Sequence, residues 1–387
     1  MFDRTGSAEQ YALTEEQRDL RELVRRLATE RIAPRAAEID ASGEFPQDVR
    51  ALLAEHDLLG LPFEERHGGT GTGALMLTVA IEEIAKACAS SALILAVQDL
   101  GTLPIRLAGS EELQDRVLPR YASGEWLAAF ALSEPDAGSD VSGMRTSAER
   151  RDGGWVLNGT KNWISNAGVA DAYVVFAVTD RSVAASRGIT AFLVESGAPG
   201  FAVAKLEHKM GMRGSPTGQL VFDGVEVPDE AVIGAPGDGF KVAMRTLDHS
   251  RLGIAAQALG IAQGATDYAA AYARERRAFG RPINELQAIQ FKLADMETRC
   301  AAARELLYAA AARADRGAPD LGKYSAMAKL FCSDAAMDVT VDAVQVLGGY
   351  GYVTEYPVER MMRDAKLTQI YEGTNEIQRV VIGRTLR

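Results

Sequence analysis

The sequence predicts an α+β protein, mostly α, with an N-terminal helical domain, a middle antiparallel β domain and a C-terminal helical bundle. Three observations carry this prediction. Residues from about 14 to 125 repeat their apolar positions at helical spacing. Residues 126–232 change to short β-branched and aromatic runs punctuated by turn residues. From about residue 237 long Ala- and Leu-rich stretches return with short connections between them, the pattern of a bundle. The expected domains are 1–125, 126–236 and 237–387, a reasonable division of 387 residues.

The elements follow in order. Thr14-x-x-Gln17 is a capping-box pattern, and Leu20, Leu23, Val24 and Leu27 continue it at helical spacing. Further helices are expected at 46–58 and 74–98. Gly68-Gly69-Thr70-Gly71-Thr72-Gly73 before the second resembles a phosphate-binding glycine loop. No clear strand enters it and no lysine follows as in a P-loop, so it reads as a connection. Trp155-Val156-Leu157-Asn158-Gly159 carries an Asn-Gly hairpin signal. Residues 173–178 and 188–194 read as strands, and 220–227 as two strands around Asp223-Gly224. Four C-terminal helices are expected at 240–274, 284–314, 320–347 and 372–386.

Composition narrows the function. The chain is 47% hydrophobic and 25% charged, ordinary for a globular protein. A net charge of −11 and a pI near 5.1 disfavour nucleic acid or an anionic membrane as a partner. Cys88, Cys300 and Cys332 lie far apart and read as small buried residues in a reducing compartment, without a disulfide framework. His56, His67, His208 and His249 are scattered and form no metal-ligand pattern. The N-terminus lacks the pattern of a signal peptide, and no apolar run reaches the roughly 18 residues that span a bilayer. A cytoplasmic protein without a bound metal is expected.

Ile370-Tyr371-Glu372-Gly373-Thr374-Asn375-Glu376 is the most informative segment. A carboxylate held against an apolar surface loses hydration, so its proton affinity rises toward the range of a general base. Gly373 beside it leaves room for a ligand to approach the backbone. The same residues also read as a helix start, with Thr374 as N-cap, an acid in the first turn, and Ile377 and Val380-Val381 packing inward.

Five segments, in order and over nearly the whole chain, resemble the acyl-CoA dehydrogenase family. They are Phe130-Ala131-Leu132-Ser133-Glu134-Pro135-Asp136-Ala137-Gly138-Ser139-Asp140 with Gly143, then Trp163-Ile164-Ser165, then Arg276-Arg277-Ala278-Phe279-Gly280-Arg281. Gln345-Val346-Leu347-Gly348-Gly349-Tyr350-Gly351-Tyr352 follows, continuing through Glu355, Arg360 and Asp364. The segment around Glu372, with Gln378-Arg379, is the last. The resemblance implies a helical, a β and a four-helix domain, non-covalent FAD, and a homotetramer built as a dimer of dimers. It implies oxidation of the Cα–Cβ bond of an acyl-CoA thioester to the trans-2-enoyl-CoA, with electrons leaving through electron-transfer flavoprotein.

The resemblance also implies residue roles. Glu372 matches the base, and its backbone N–H, with a ribityl hydroxyl of FAD, matches the donors to the thioester oxygen. Phe130, Leu132, Ser133, Trp163 and Ile164 belong to segments lining the flavin, and Ser165 matches a hydroxyl that reaches flavin N5. Ser139 matches a serine near the CoA pyrophosphate. Arg276 matches the arginine that crosses a dimer interface to the FAD diphosphate, a contact suited to its planar fork. Phe279 accompanies it, and Gln287, Gln345, Val346, Gly348 and Gly349 match further contacts from the partner subunit. Thr374 and Glu376 match contacts to the adenosine of FAD; Tyr371, Gly373, Asp248 and Arg251 match the acyl-CoA side. Branched- and long-chain members carry their base near residue 250, where this chain has Ser250. Glu372 with Ser250, and the end of the chain at Arg387, point to the short- or medium-chain type. Rival readings are a flavin oxidase or monooxygenase on the same fold, a non-catalytic flavoprotein binding module such as the DNA-associated branch, and a silent acyl-CoA-binding scaffold.

Overall fold

The computed structural model describes residues 13–386, and its first helix begins where the capping box places it. Thr14 Oγ1 accepts the Gln17 N–H and the Gln17 side chain accepts the Thr14 N–H, at 3.2 and 3.0 Å. Helix α1 (Glu15–Leu27) buries Val24 and Leu27. It passes into a π turn (Ala28–Ile32) and a 3-10 turn (Ala33–Arg35), where Pro34 lacks the N–H that a continuing α-helix needs. The short helices α2 (Ala36–Ser42) and α3 (Gln47–Glu55) follow.

The stretch expected as one helix over 74–98 is two, α4 (Gly73–Ala87) and α5 (Ala89–Ala108), broken where Cys88 adopts an extended conformation. Helix α5 is long and apolar enough to cross a membrane by length and composition, contrary to expectation, but 78% of its apolar window is buried inside the protein. Helix α6 (Glu111–Ala122) completes the region, capped by Ser110. The glycine-rich segment delivers the chain to α4, whose first free N–H groups are taken by Asp315: Ala74 and Leu75 donate to its two carboxylate oxygens at 2.5 and 3.2 Å. A protein carboxylate fills the place a phosphate would take.

The middle region is a sheet in the order β6-β7-β3-β2-β4-β5-β8, with β1 added beside β4. Its strands are β1 (Ala128–Ala131), β2 (Ser147–Arg151), β3 (Gly154–Ser165), β4 (Ala172–Val178), β5 (Ile189–Glu195), β6 (Phe201–Leu206), β7 (Thr217–Pro228) and β8 (Val232–Ile233), with the one-turn helix α7 (Ala185–Gly188) before β5. Pairing is largely antiparallel, but β1 and the start of β2 run parallel to β4. Neither expected hairpin forms. Asn158-Gly159 lies inside β3 and Asp223-Gly224 inside β7, face to face at one bulge. There the Gly224 N–H donates to Asn158 Oδ1 at 2.8 Å. Both dipeptides supply the positive φ they are suited to, 147° at Gly159 and 67° at Gly224, but they use it to bend paired strands rather than reverse them.

The C-terminal region comprises α8 (Gly239–Glu275), α9 (Gln287–Asp315), α10 (Leu321–Leu347), α11 (Pro357–Thr368) and α12 (Asn375–Arg384). A two-stranded ribbon, β9 (Arg277–Ala278) and β10 (Arg281–Pro282), connects α8 to α9. The four expected helices are present, with α11 as an additional short one. Helix α8 is central: at 1.5 Å per residue its 37 residues run about 55 Å. It crosses α4 closely enough that a Cβ on Gly260 or Gly264 would fall 2.4 Å from the carbonyl oxygens of Glu82 and Lys86. Apolar residues of α4, α5, α8, α9 and α10 form one continuous core, and all three cysteines are buried, as expected.

One ion pair organises the sheet where the Phe130–Asp140 and Trp163–Ser165 segments meet. Lys161 is fully buried, and its Nζ donates to Glu134 Oε1 at 2.8 Å and to the Leu132 carbonyl at 3.0 Å. Glu134 also accepts the N–H groups of Arg145 and Thr146 at 2.6 and 2.9 Å. Burial works against the Glu134 carboxylate, but Lys161 and these donors outweigh it and lower its pKa. Removing one member of such a pair strands a buried charge. Lys161→Met should therefore cost about 3–5 kcal/mol, and Lys161→Met with Glu134→Gln, which removes the stranded charge and keeps an acceptor for the two N–H groups, should recover part of that loss. Chemical-denaturation midpoints of the two variants, compared with the parent, check this.

Candidate active site

Glu372 stands on the short connection between α11 and α12, with φ at +52°. A non-glycine residue in that region costs on the order of 1 kcal/mol, so the surroundings must hold it. They do so from three helices. The Tyr371 hydroxyl donates to Gln257 Oε1 on α8. Lys329 Nζ on α10 donates to the Gly373 carbonyl at 2.8 Å and to Asn375 Oδ1 at 2.9 Å. Gln378 Nε2 on α12 donates to the same Gly373 carbonyl at 2.8 Å. Gly373 has φ +90°, and a Cβ there would lie 2.8 Å from Gln378 Nε2. The position excludes larger residues for a backbone reason.

The Glu372 carboxyl is enclosed by protein although the residue as a whole keeps partial access to solvent. Burial pushes its pKa up to about 7. Ser250 Oγ donates to Oε2 at 2.6 Å and favours the charged form, as do Lys329 and Arg251, while Asp99 opposes it. Arg251 is buried and bound to Asp248 Oδ1 at 2.8 Å, with its Nε lacking a partner. Asp248 and Arg251 thus act as a pair beside Glu372. Burial pulls Lys329 down to about 7, with Glu372 raising it again.

The other expected residues fall into two groups. At the sheet, a second bulge in β3 over Asn162-Trp163 turns the Trp163 indole outward, 60% exposed with φ +62°. The Asn162 N–H donates to the Ser133 carbonyl at 2.9 Å, which ties this bulge to the segment after β1. Phe130, Ser133 and Ser165 are half-buried around it, Ser139 is exposed, and Leu132 and Ile164 are buried. Ile164 sits in the sheet core, opposite Gly218 of β7. Phe130 packs edge-on against Phe176 at 5.0 Å.

On the bundle, Arg276 ends α8 and lies 5.2 Å over the ring of Tyr350, joining the Gln345–Gly349 segment to the ribbon after α8. Phe279 at the ribbon tip is 90% exposed with φ +50°. Gln287, Gln345, Gly348 and Gly349 are exposed, and Val346 is buried. Thr374 is the N-cap of α12, accepting the Ile377 N–H at 3.4 Å, and Glu376 is exposed in its first turn. Val380 does not pack inward; it faces out beside partly buried Val381.

Three family models match in the order of the structure. They are the acyl-CoA dehydrogenase N-terminal domain at residues 14–125, the middle domain at 129–225 and the C-terminal domain at 237–387. The probable acyl-CoA dehydrogenase FadE25 of Mycobacterium tuberculosis is 50% identical over 376 residues, covering 97% of this chain and 96% of that one. This chain belongs to the acyl-CoA dehydrogenase family. The cyclohex-1-ene-1-carbonyl-CoA dehydrogenase of Geobacter metallireducens is also 50% identical, over 97% of this chain and 98% of that one. The butyryl-CoA dehydrogenase of Megasphaera elsdenii superimposes with a TM-score of 0.95 at 45% identity, over 97% and 99% of the two chains. The protein is an acyl-CoA dehydrogenase, a flavoprotein oxidoreductase.

In this acyl-CoA dehydrogenase the sequence pointed to Glu372 but passed over Lys329 and Gln257, and gave no role to Asn375 and Gln378 of the same segment. Ser250 entered only as the absence of a second base, whereas the structure makes it the hydrogen-bond donor to Glu372. Lys329 left one signal, a lysine in the apolar phase of α10 between Ala328 and Cys332. Ser250→Ala removes a donor that favours the carboxylate, so the Glu372 titration midpoint should move upward from about 7. Isotope-edited infrared spectroscopy of the carboxylate band, with Glu372→Gln as blank, measures it.

Proposed function

We propose that this enzyme dehydrogenates a short- or medium-chain acyl-CoA to the trans-2-enoyl-CoA, with Glu372 as the base for the α-proton. The observation that carries this reading is the placement of Glu372: a half-buried residue whose Oε2 accepts from Ser250 Oγ at 2.6 Å, with burial pushing its pKa up to about 7. Its own N–H donates to no protein acceptor among the described residues. One residue therefore offers a proton acceptor and a free donor for the thioester oxygen that gains charge as the proton leaves. Below about pH 7 the carboxyl holds a proton and cannot accept another; above it the base is ready.

The cofactor is FAD in this reading. The donor set at the sheet fits a flavin: an indole turned outward at a bulge, a Ser165 hydroxyl with no protein partner among the described residues, and a buried, unpartnered Asn162 Oδ1 nearby. Phe130, Leu132, Ser133, Trp163, Ile164 and Ser165 would hold the ring, and Thr374 and Glu376 the adenosine. Arg276, Phe279, Gln287, Gln345, Val346, Gly348 and Gly349 would come from a second copy of the chain within a homotetramer. Bound there, FAD supplies the acceptor for the β-hydride. Ser139, Asp248, Arg251, Tyr371 and Gly373 would face the acyl-CoA, and electron-transfer flavoprotein would take the electrons. The exposed Phe279 ring and the exposed glycines at 348 and 349 support a cofactor site shared between copies. The cytoplasm remains the proposed compartment.

Glu372→Gln keeps the shape of the side chain and removes its basicity. The variant should keep FAD and bind acyl-CoA, yet reduce its flavin at least about 10²–10⁴-fold more slowly, the worth of a positioned base. Stopped-flow bleaching under anaerobic conditions measures this, and near-normal bleaching refutes the assignment.

Straight C4–C8 thioesters should react best, butyryl-CoA first among them. Ser250 leaves Glu372 as the base, and the resemblance to a butyryl-CoA dehydrogenase supports a short pocket. Each buried methylene contributes up to about 0.8 kcal/mol until the pocket is full. A kcat/KM series from C4 to C16, with a cyclic acyl-CoA alongside, locates the limit. An optimum at C14–C16, or exclusive use of the cyclic substrate, overturns the pocket reading and leaves the base assignment standing. The rival oxidase reading predicts fast reoxidation of the reduced enzyme by oxygen in the same apparatus.

A further inference from the structure

Lys329 is an unusual residue for its place in α10. It is fully buried on the face that also buries Ser325, Ala328, Cys332 and Ser333. Among the described residues no carboxylate lies within ion-pair distance of it. Its Nζ meets two neutral oxygens, the Gly373 carbonyl at 2.8 Å and Asn375 Oδ1 at 2.9 Å. Burying an ammonium group without a counter-ion in contact is costly. Anchoring alone does not require it: Gln378 already donates to the Gly373 carbonyl at 2.8 Å, and Asn375 is held by Ser333 Oγ at 2.9 Å and Asp334 Oδ1 at 2.7 Å.

Charges reach Glu372 from several elements. Asp99 on α5 opposes its ionisation, while Arg251 on α8 and Lys329 on α10 favour it. Arg251 is balanced by Asp248 at 2.8 Å. Asp334 and Glu376, which also face Lys329, are turned elsewhere: Asp334 binds Arg379 at 3.1 Å, and Glu376 is exposed at the start of α12. Lys329 is the cation near Glu372 whose charge no contacting carboxylate cancels.

We infer that Lys329 is a positioning residue for the dehydrogenation, acting through Glu372: it fixes the turn that carries the base and holds a positive charge behind it that keeps the base ionised. The inference rests on the reading of Glu372 as the base. Burial brings Lys329 down to about 7, so its charge is fully present on the acid side of the limb, which is where the displacement is read. Removing that charge raises the proton affinity of Glu372 and shifts the limb to higher pH.

The test is the pH profile of flavin reduction by saturating butyryl-CoA in the FAD-loaded enzyme. Parent, Lys329→Gln, Lys329→Met and Glu372→Gln are compared. Glutamine keeps a donor and loses the charge; methionine loses both. In Lys329→Gln the acid-side midpoint should rise, with about tenfold slower reduction on that side for each pH unit of the rise. The rate should recover toward the parent's at alkaline pH, with KM little changed. Lys329→Met should show the same displacement and a lower alkaline plateau. An unmoved midpoint in Lys329→Gln, or a fall equal at every pH, overturns the inference. Loss of flavin by both uncharged variants assigns Lys329 to the fold and overturns it too. Normal reduction by Glu372→Gln defeats the reading of the base itself. A silent Glu372→Gln beside a parent-like Lys329→Gln defeats only the role of Lys329.

Discussion

A carboxyl group that must be kept from water and still be able to lose its proton sets the conditions for the surroundings of residue 372. Burial alone would leave it protonated; full solvation would leave it a weak base. The protein reaches a midpoint near neutrality by opposing burial and Asp99 with Ser250, Lys329 and Arg251. Those groups stand on α5, α8 and α10, so the balance exists only when the helices are packed. The backbone is under the same control. The positive φ of Glu372 is sustained by Tyr371 on Gln257 and by Lys329 and Gln378 on Gly373. Groups on rigid helices hold a turn more closely than a free loop does.

The sheet combines a sealed core with an aromatic face turned to its surface. The bulge at Asn162-Trp163 presents the indole, and the buried Lys161–Glu134 pair fastens the neighbouring segment at Leu132 and Ser133. The charge is spent inside the wall rather than on its surface.

Much of this was legible in the sequence because residue chemistry and local backbone preference agreed. Thr374 announced a helix cap, and the structure contains it at the start of α12, directly after a Glu372 carboxyl that accepts from Ser250. Alternation and periodicity gave the helix, sheet, helix order. Other features were illegible because partners distant in sequence decide them. Asn158-Gly159 and Asp223-Gly224 each look like a reversal; only their pairing across β3 and β7 converts them into facing bulges. Cys88 interrupts α4 and α5 without a proline or glycine to mark the break. Lys329 appears as a fault in an apolar pattern and Lys161 as one more residue of a polar run, and neither pattern has a means of saying what the lysine binds.

The close crossing of α4 and α8 bears on how the chain becomes a protein at all. Their backbones meet at Gly260 and Gly264, and Asp315 at the end of α9 completes the start of α4. The first and last thirds of the sequence thus share one interior, closed only after the ribosome has delivered nearly the whole chain. Autonomy in sequence is not autonomy in folding: a fragment ending before α8 would expose the apolar face of α4 and wait, vulnerable to aggregation, for its partner. Amide protons at the crossing are expected to be among the slowest to exchange, released only by global unfolding. The three segments that can be told apart by eye share two buried apolar clusters, one of them discontinuous along the chain.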